Sequence, residues 1–172
     1  FEVRCKFQKN PRSMWSAFWL QSPSIGTTYD PAYSGVENDI MEHYEYNNFS
    51  AGNIFGGYGN RIDREGRVHL DIEGLDEGFH TFALYWSEKE YIFYCDGKEI
   101  SRATEHISKV PQFILLTTEV KGYRNDEPLK IGEEVIDRNS LDGSGVREKV
   151  SDEFVDDAFV VDYVRVFDEV DE

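Results

Sequence analysis

The chain has 172 residues, 34 Asp and Glu against 18 Lys and Arg for a net charge of −16, and 40% hydrophobic residues that include 12 Phe, 10 Tyr and 3 Trp. That is one domain's length with enough bulky side chains for a sizeable core, which argues against disorder. The acid excess repels phosphate backbones and anionic lipid heads, and no apolar run approaches the roughly 20 residues that span a bilayer, so neither nucleic acid nor membrane is an expected partner.

Alternation with turn punctuation recurs along the chain, whereas helical periodicity is hard to find. Phe1-Glu2-Val3-Arg4-Cys5-Lys6-Phe7-Gln8 alternates from its first residue, with no Met and no cap. It reads as a strand entered partway, with upstream sequence expected. The predicted strands are 1–8, 14–21, 36–45, 51–58, 67–73, 79–87, 90–95, 98–103, 112–120 and 159–167. Asn10-Pro11, Asp30-Pro31, Gly56-Gly57 and Gly143-Ser144-Gly145 mark turns, and Asp96-Gly97 between two alternating runs is a hairpin signal, because Gly tolerates the positive φ of a primed turn. One helical turn is expected, over 105–109. Residues 121–158 cluster Asp, Glu and Gly and read as a solvated excursion or an active-site loop. Asn48-Phe49-Ser50 has the form of a glycosylation sequon. Cys5 and Cys95 lie far apart without metal-ligand spacing, leaving one disulfide or two buried thiols open. Ten short strands in one domain predict an all-β antiparallel sandwich.

The most informative segment is Val36-Glu37-Asn38-Asp39-Ile40-Met41-Glu42-His43. Alternation puts Glu37 and Asp39 on one face and Glu42 on the other. A one-residue bulge at Ile40-Met41 returns Glu42 to the face of the first two. Glu37 and Glu42 are then about four strand steps apart, roughly 14 Å between backbones. Side chains leaning inward bring the carboxylates to about 6 Å, near the separation of retaining glycosidases. Three carboxyls in a row cannot all stay charged cheaply, so at least one pKa should be raised, which suits a general acid beside an ionised nucleophile. An exposed acidic face or a calcium site is the plain alternative, although calcium favours loops over a strand flanked by Ile, Met and Val.

Trp15, Ala17 and Trp19 alternate onto one face, and aromatic rings suit the C–H faces of sugars; core packing is the usual fate of Trp. Phe113, Leu115, Thr117 and Glu119 likewise share a face. With Trp15-Ser16-Ala17-Phe18-Trp19-Leu20 and Glu37-Asn38-Asp39-Ile40-Met41-Glu42, the blocks Gly56-Gly57-Tyr58-Gly59, Phe79-His80-Thr81-Phe82, Tyr94-Cys95-Asp96-Gly97-Lys98 and Val161-Asp162-Tyr163-Val164-Arg165-Val166 occur in the order seen in family 16 glycoside hydrolases, which the chain resembles from Phe1 to about Phe167.

The resemblance implies a concanavalin-like β-sandwich jelly roll of two antiparallel sheets with its N-terminal strands missing, in one catalytic domain over 1–172. It implies Glu37 as nucleophile, Glu42 as general acid/base and Asp39 as the carboxylate that hydrogen-bonds and tunes the nucleophile. The bulged spacing looks like laminarinases, agarases and carrageenases. Trp19 and Trp15, with Tyr29 and Tyr33 ahead of the acid strand, are the implied substrate contacts; Thr117 and Glu119 stand where the family commonly has Asn and a small residue, and Glu119 either contacts sugar hydroxyls or lies solvated outside the cleft. Asp162 is a candidate ligand for a structural calcium, or a solvent-facing strand Asp; catalysis needs no cofactor.

Four departures stand out: Asn38 where relatives carry an apolar residue, Asn53, Ile54 and Phe55 in place of a frequent His before the Gly pair, His43 on the opposite face from the acids, and the missing first strands. The expected protein is a secreted, cell-surface or periplasmic monomer acting on a polysaccharide. The expected activity is endo-acting retaining hydrolysis of a β-1,3-glucan, with a red-algal galactan, a transglycosylase or a non-catalytic glycan-binding module as alternatives.

Overall fold

A computed structural model describes residues 1–11, 14–120, 129–131, 134–136 and 156–168. Among these residues are twelve strands: β1 Glu2–Lys6, β2 Met14–Gln21, β3 Glu37–Glu45, β4 Asn48–Phe55, β5 Asp63–Asp71, β6 His80–Trp86, β7 Tyr91–Cys95, β8 Lys98–Ala103, β9 Phe113–Val120, β10 Leu129–Ile131, β11 Glu134–Ile136 and β12 Val160–Arg165. One sheet has the order β12-β1-β6-β7-β8 and the other β5-β4-β3-β2-β9, while β10 and β11 form a separate two-stranded ribbon. Every described pairing is antiparallel.

Alternation explains the layering. Val3, Cys5, Phe82, Leu84, Tyr91 and Phe93 of the first sheet meet Phe18, Leu20, Ile40, Met41, Phe49 and Ala51 of the second in one buried cluster. At roughly 25 cal/mol per Å² of apolar surface, this burial is what holds the two sheets together. Trp86 packs against the same core, as its apolar surroundings predict. Cys5 and Cys95 are both buried free thiols. Since β6 separates β1 from β7, their backbones stand about 9–10 Å apart, beyond the roughly 7 Å limit for a disulfide. Burial pushes both thiols up to about 12.

The boundaries differ from expectation in four places, each for a local reason. β4 starts at Asn48 and stops at Phe55, because Asn47 at φ 50° closes the preceding hairpin and Gly56 and Gly57, at φ 77° and 114°, leave the extended region. β5 starts at Asp63, hidden in sequence by the charged run Asp63-Arg64-Glu65-Gly66-Arg67, whose Gly66 at φ 63° interrupts the alternation. No helix forms over 105–109. The Glu65 carboxylate instead accepts the backbone N–H groups of Thr104 and Glu105, and His106, at φ 53°, stacks on Phe55 at 3.9 Å. The one described α-helix is the single turn α1, Pro31–Ser34, capped by Asp30, whose carboxylate accepts from Ala32 N at 2.9 Å. Of the stretch 121–158, the ribbon β10–β11 and residues 156–158 are described, and the rest of that expectation lies outside the described residues. The Asp96-Gly97 hairpin forms with φ of 48° and 76°, the primed turn its sequence predicts.

Candidate active site

The acid strand β3 is held between β2 and β4, and its register decides which side chains emerge together. Gln21 pairs with Glu37, Trp19 with Asp39 and Ala17 with Glu42, while Phe18 pairs with Met41, so Ile40 is the extra residue of a bulge. Ile40 and Met41 both point into the core at 0% exposure. The cost of an interrupted ladder is thus offset by two buried side chains, and Glu37, Asp39 and Glu42 share the face turned away from the core. Glu37 and Glu42 lie opposite residues four apart on β2, the spacing the bulge argument requires. His43 falls on the core face, fully buried, stacked on Phe7 at 3.9 Å and with Nδ1 2.8 Å from the Asn48 carbonyl.

Each acid has its own surroundings. Glu42 is buried and its Oε2 accepts from the Ser50 hydroxyl at 2.9 Å. Glu37 Oε2 accepts from the Tyr58 hydroxyl and from Gln21 Nε2 at 3.3 Å. Asp39, 6% exposed, lies between the two. Burial raises all three carboxyls above the ordinary range. Asp39 is raised furthest, because burial is joined by repulsion from Glu42 and then Glu37, and Arg67 and Arg64 only partly offset it. For Glu37, burial is opposed by Tyr58, Gln21 and the Arg64 charge; for Glu42, burial and repulsion from Glu37 are opposed by Ser50, Arg67 and a hydrogen bond from Trp15. Among the described residues, Tyr58 and Gln21 are the donors to Glu37. A depression lined by Asp39, Glu42, Gly52, Ile54 and Arg67 opens beside the acids.

The expected substrate contacts are distributed along this face. Trp15 and Trp19 are half-buried on it, Trp15 edge-on to Tyr44 at 5.5 Å and Trp19 donating its indole N–H to Thr117 Oγ1 at 3.0 Å. Thr117 and Glu119 stand on β9 opposite Ala17 and Trp15, on the same side as the acids. Tyr29, 61% exposed, donates to Asp63 and lies edge-on to Phe55, next to the Gly56-Gly57 turn. Tyr33 projects from α1 at 74% exposure; among the described residues no hydrogen bond or ring contact links it to the acids. Asp162 is on β12 of the other sheet, ion-paired to Arg4 at 2.5 Å. Its described neighbour is thus a guanidinium, and among the described residues no group of three or more His, Cys, Asp or Glu is arranged to hold a metal ion.

Sequence reasoning singles out none of Gln21, Ser50, Tyr58, Arg64 and Arg67 as site residues. Gln21 was reachable, because it continues the Trp15-Ala17-Trp19 alternation. Ser50 drew notice only as part of the sequon, and its hydroxyl is spent on Glu42. Tyr58, Arg64 and Arg67 depend on a turn and a bulge that alternation does not show. The buried amide of Asn38 finds its partners: it donates to Asn53 Oδ1 at 2.7 Å and accepts from Gln112 Nε2 at 3.0 Å.

Known proteins share this pattern. The chain is 27% identical over 121 residues to a beta-glucanase of Acetivibrio thermocellus, covering 67% of this chain and 32% of that protein. It is 30% identical over 123 residues to endo-1,3-1,4-beta-glycanase ExsH of Rhizobium meliloti, covering 71% and 24%. Among solved structures, the laminarinase catalytic domain of Thermotoga maritima superposes with a TM-score of 0.56 at 26% identity, over 72% of this chain and 53% of that one. The chain therefore spans about a third or less of the curated relatives' length and about half of the laminarinase domain, and the two-sheet arrangement they share is the jelly roll expected from the sequence. Residues 1–130, which carry both the acid strand and the strands that flank it, match the model of glycosyl hydrolases family 16, and the chain belongs to that family.

Proposed function

We propose that this chain is the catalytic part of an endo-acting, retaining β-glycanase whose substrate is a β-1,3-glucan. The observation that carries the reading is the bulged register that puts Glu37, Asp39 and Glu42 on one open face, all with raised pKa. The relatives named beta-glucanase, endo-1,3-1,4-beta-glycanase and laminarinase support a glucan over a galactan.

In this reading Glu37 attacks the anomeric carbon while Glu42, whose carboxyl burial favours in its protonated form, gives a proton to the leaving oxygen. Ser50 donates to Oε2 of Glu42, and the Trp15 indole also hydrogen-bonds this carboxyl. Glu42, now ionised, then takes a proton from water, and the resulting hydroxide equivalent releases the sugar from Glu37. Trp15 and Trp19 line the same face as stacking surfaces, with Thr117 and Glu119 as hydroxyl contacts. A polymer substrate favours action outside the cytoplasm, by a secreted, cell-surface or periplasmic protein.

A reducing-sugar assay on laminarin, with agarose in parallel, compares wild type with Glu37→Gln. We expect release from laminarin by wild type and a loss on the order of 10⁴-fold in the variant, since removal of a nucleophile leaves only binding and polarisation. Binding without release by wild type makes the chain a glycan-binding module; release from agarose alone makes it a galactanase. Proton NMR of the first product shows the substrate's own anomer if the mechanism is retaining.

A further inference from the structure

The turn after β4 brings a phenol back onto the end of β3. Gly56 and Gly57 take φ of 77° and 114°, and a Cβ on Gly57 would stand 3.1 Å from the Cα of Gly26. Glycine at both places lets this turn press against the 22–30 loop, so Tyr58, three residues beyond β4, reaches Glu37. Its hydroxyl donates to Glu37 Oε2 and accepts from Gln21 Nε2, and the same Gln21 nitrogen donates to Glu37 Oε2 at 3.3 Å. Gln21 is placed by the ladder, directly opposite Glu37. One oxygen of Glu37 thus holds two donors, while Oε1 accepts none among the described residues. Tyr58 is 47% exposed, more than a residue needed only for packing requires.

We propose that Tyr58, with Gln21, is a positioning residue that locks Oε2 of Glu37 and leaves Oε1 as the one oxygen free to attack. The inference rests on the reading of Glu37 as nucleophile. In the first step the Oε1–carbon bond forms as the glycosidic carbon–oxygen bond breaks and the Glu42 proton goes to the leaving oxygen. Oε2 becomes the carbonyl oxygen of the glycosyl ester without losing its donors. In the second step water attacks the anomeric carbon, gives its proton to Glu42, and the Glu37 carboxylate leaves with both donors already in place to receive its charge. Preset donors that need no reorganisation serve both steps.

The variant Tyr58→Phe removes the hydroxyl and keeps the ring. The charged groups around Glu37 are Asp39 and Glu42 on its own strand and Arg64 on β5, and all remain. A hydrogen bond to a charged acceptor is lost, so kcat on laminarin should fall about 10- to 100-fold with KM little changed. The acidic limb of the kcat/KM profile should move to higher pH, because the phenol favours ionised Glu37. Gln21→Met should shift the limb in the same direction by less, and the double variant should lose less than the product of the two. A carbon-13 NMR titration of the labelled Glu37 carboxyl, which needs no substrate, should show its midpoint rising in Tyr58→Phe at an unchanged melting temperature. An unmoved midpoint and acidic limb overturn the proposal. A loss confined to KM makes Tyr58 a sugar contact only, and overturns it as well. Wild type inactive on every β-glycan would instead remove the nucleophile reading, while the titration still decides whether Tyr58 holds Glu37.

Discussion

Asp39 combines near-complete burial with a carboxylate on each side along its strand, and among the described residues no hydrogen-bond donor offsets them. Its folded-state pKa is raised, so between the ordinary Asp value of about 3.9 and its own, the folded protein holds a proton that the unfolded chain has released. The favourable contribution is fully present below the unfolded value and is lost as pH rises through the folded one. Asp39→Asn removes that penalty, and we expect its melting temperature at pH 8 to exceed wild type by a few degrees, at about 2–4 °C per kcal/mol for a chain of this size. The gain should shrink toward zero as pH falls toward about 4, while hydrolysis of laminarin falls on the order of 100-fold. Equal melting temperatures at pH 8 would show that Arg64 and Arg67 already neutralise the site. At this scale the sequence was most legible: the three acids, the Trp face and His43's turn to the core follow from alternation plus one bulge. What it hid were partners arriving from elsewhere in the chain. The hydroxyls on Glu37 and Glu42 lie 21 and 8 residues away in sequence, and no local pattern connects them.

Among the strands, the acid face depends on β4 and β5 approaching unusually closely at Gly52. This residue has φ of 152°, and a Cβ there would meet the Cα of Arg67 at 2.8 Å. The contact is with backbone, so no rotamer change relieves it. It also sits in the register shift between Ala51 and Asn53, opposite Asp39 on β3. Gly52→Ala should therefore push β5 outward, destabilise the fold by about 1–3 kcal/mol, and carry Arg67 away from Asp39 and Glu42. A urea melt reads the first effect as a lower midpoint at unchanged slope; a midpoint equal to wild type shows that the strands can separate locally at no cost. The same element explains why the sequence misplaced β4 and β5 but not β2 and β3. Strands buried on one face and lined by a clean alternation announce themselves. β5 is an edge strand with an exposed, charged face and an internal glycine, so its residues resemble loop. The turn expected at 105–109 does not form because contacts with Glu65 and Phe55 outweigh a single turn's weak propensity.

Over the whole molecule, the net charge of −16 acts on the fold and on the choice of substrate together. Three of the 34 acids form the buried row, and the 18 Lys and Arg leave the chain with a large excess of negative charge that repels itself. Repulsion of this kind disfavours the compact state and is screened by salt. Raising sodium chloride from roughly 0.01 M to 1 M shortens the Debye length from about 30 Å to about 3 Å and should raise the melting temperature by several degrees. Chloride is the right anion, because sulfate strengthens burial through exclusion from the surface irrespective of charge. A flat response would mean that the surface acids are spaced widely enough not to interact. The same field bears on glycan choice, since a neutral glucan feels none of it and a sulfated galactan is repelled. Turnover of laminarin at sub-saturating concentration should be nearly independent of salt over this range, whereas a sulfated polymer that is cleaved at all should be cleaved faster as salt rises. Steep salt activation on laminarin itself would contradict a charge-based account, because no charge on that substrate exists to be screened.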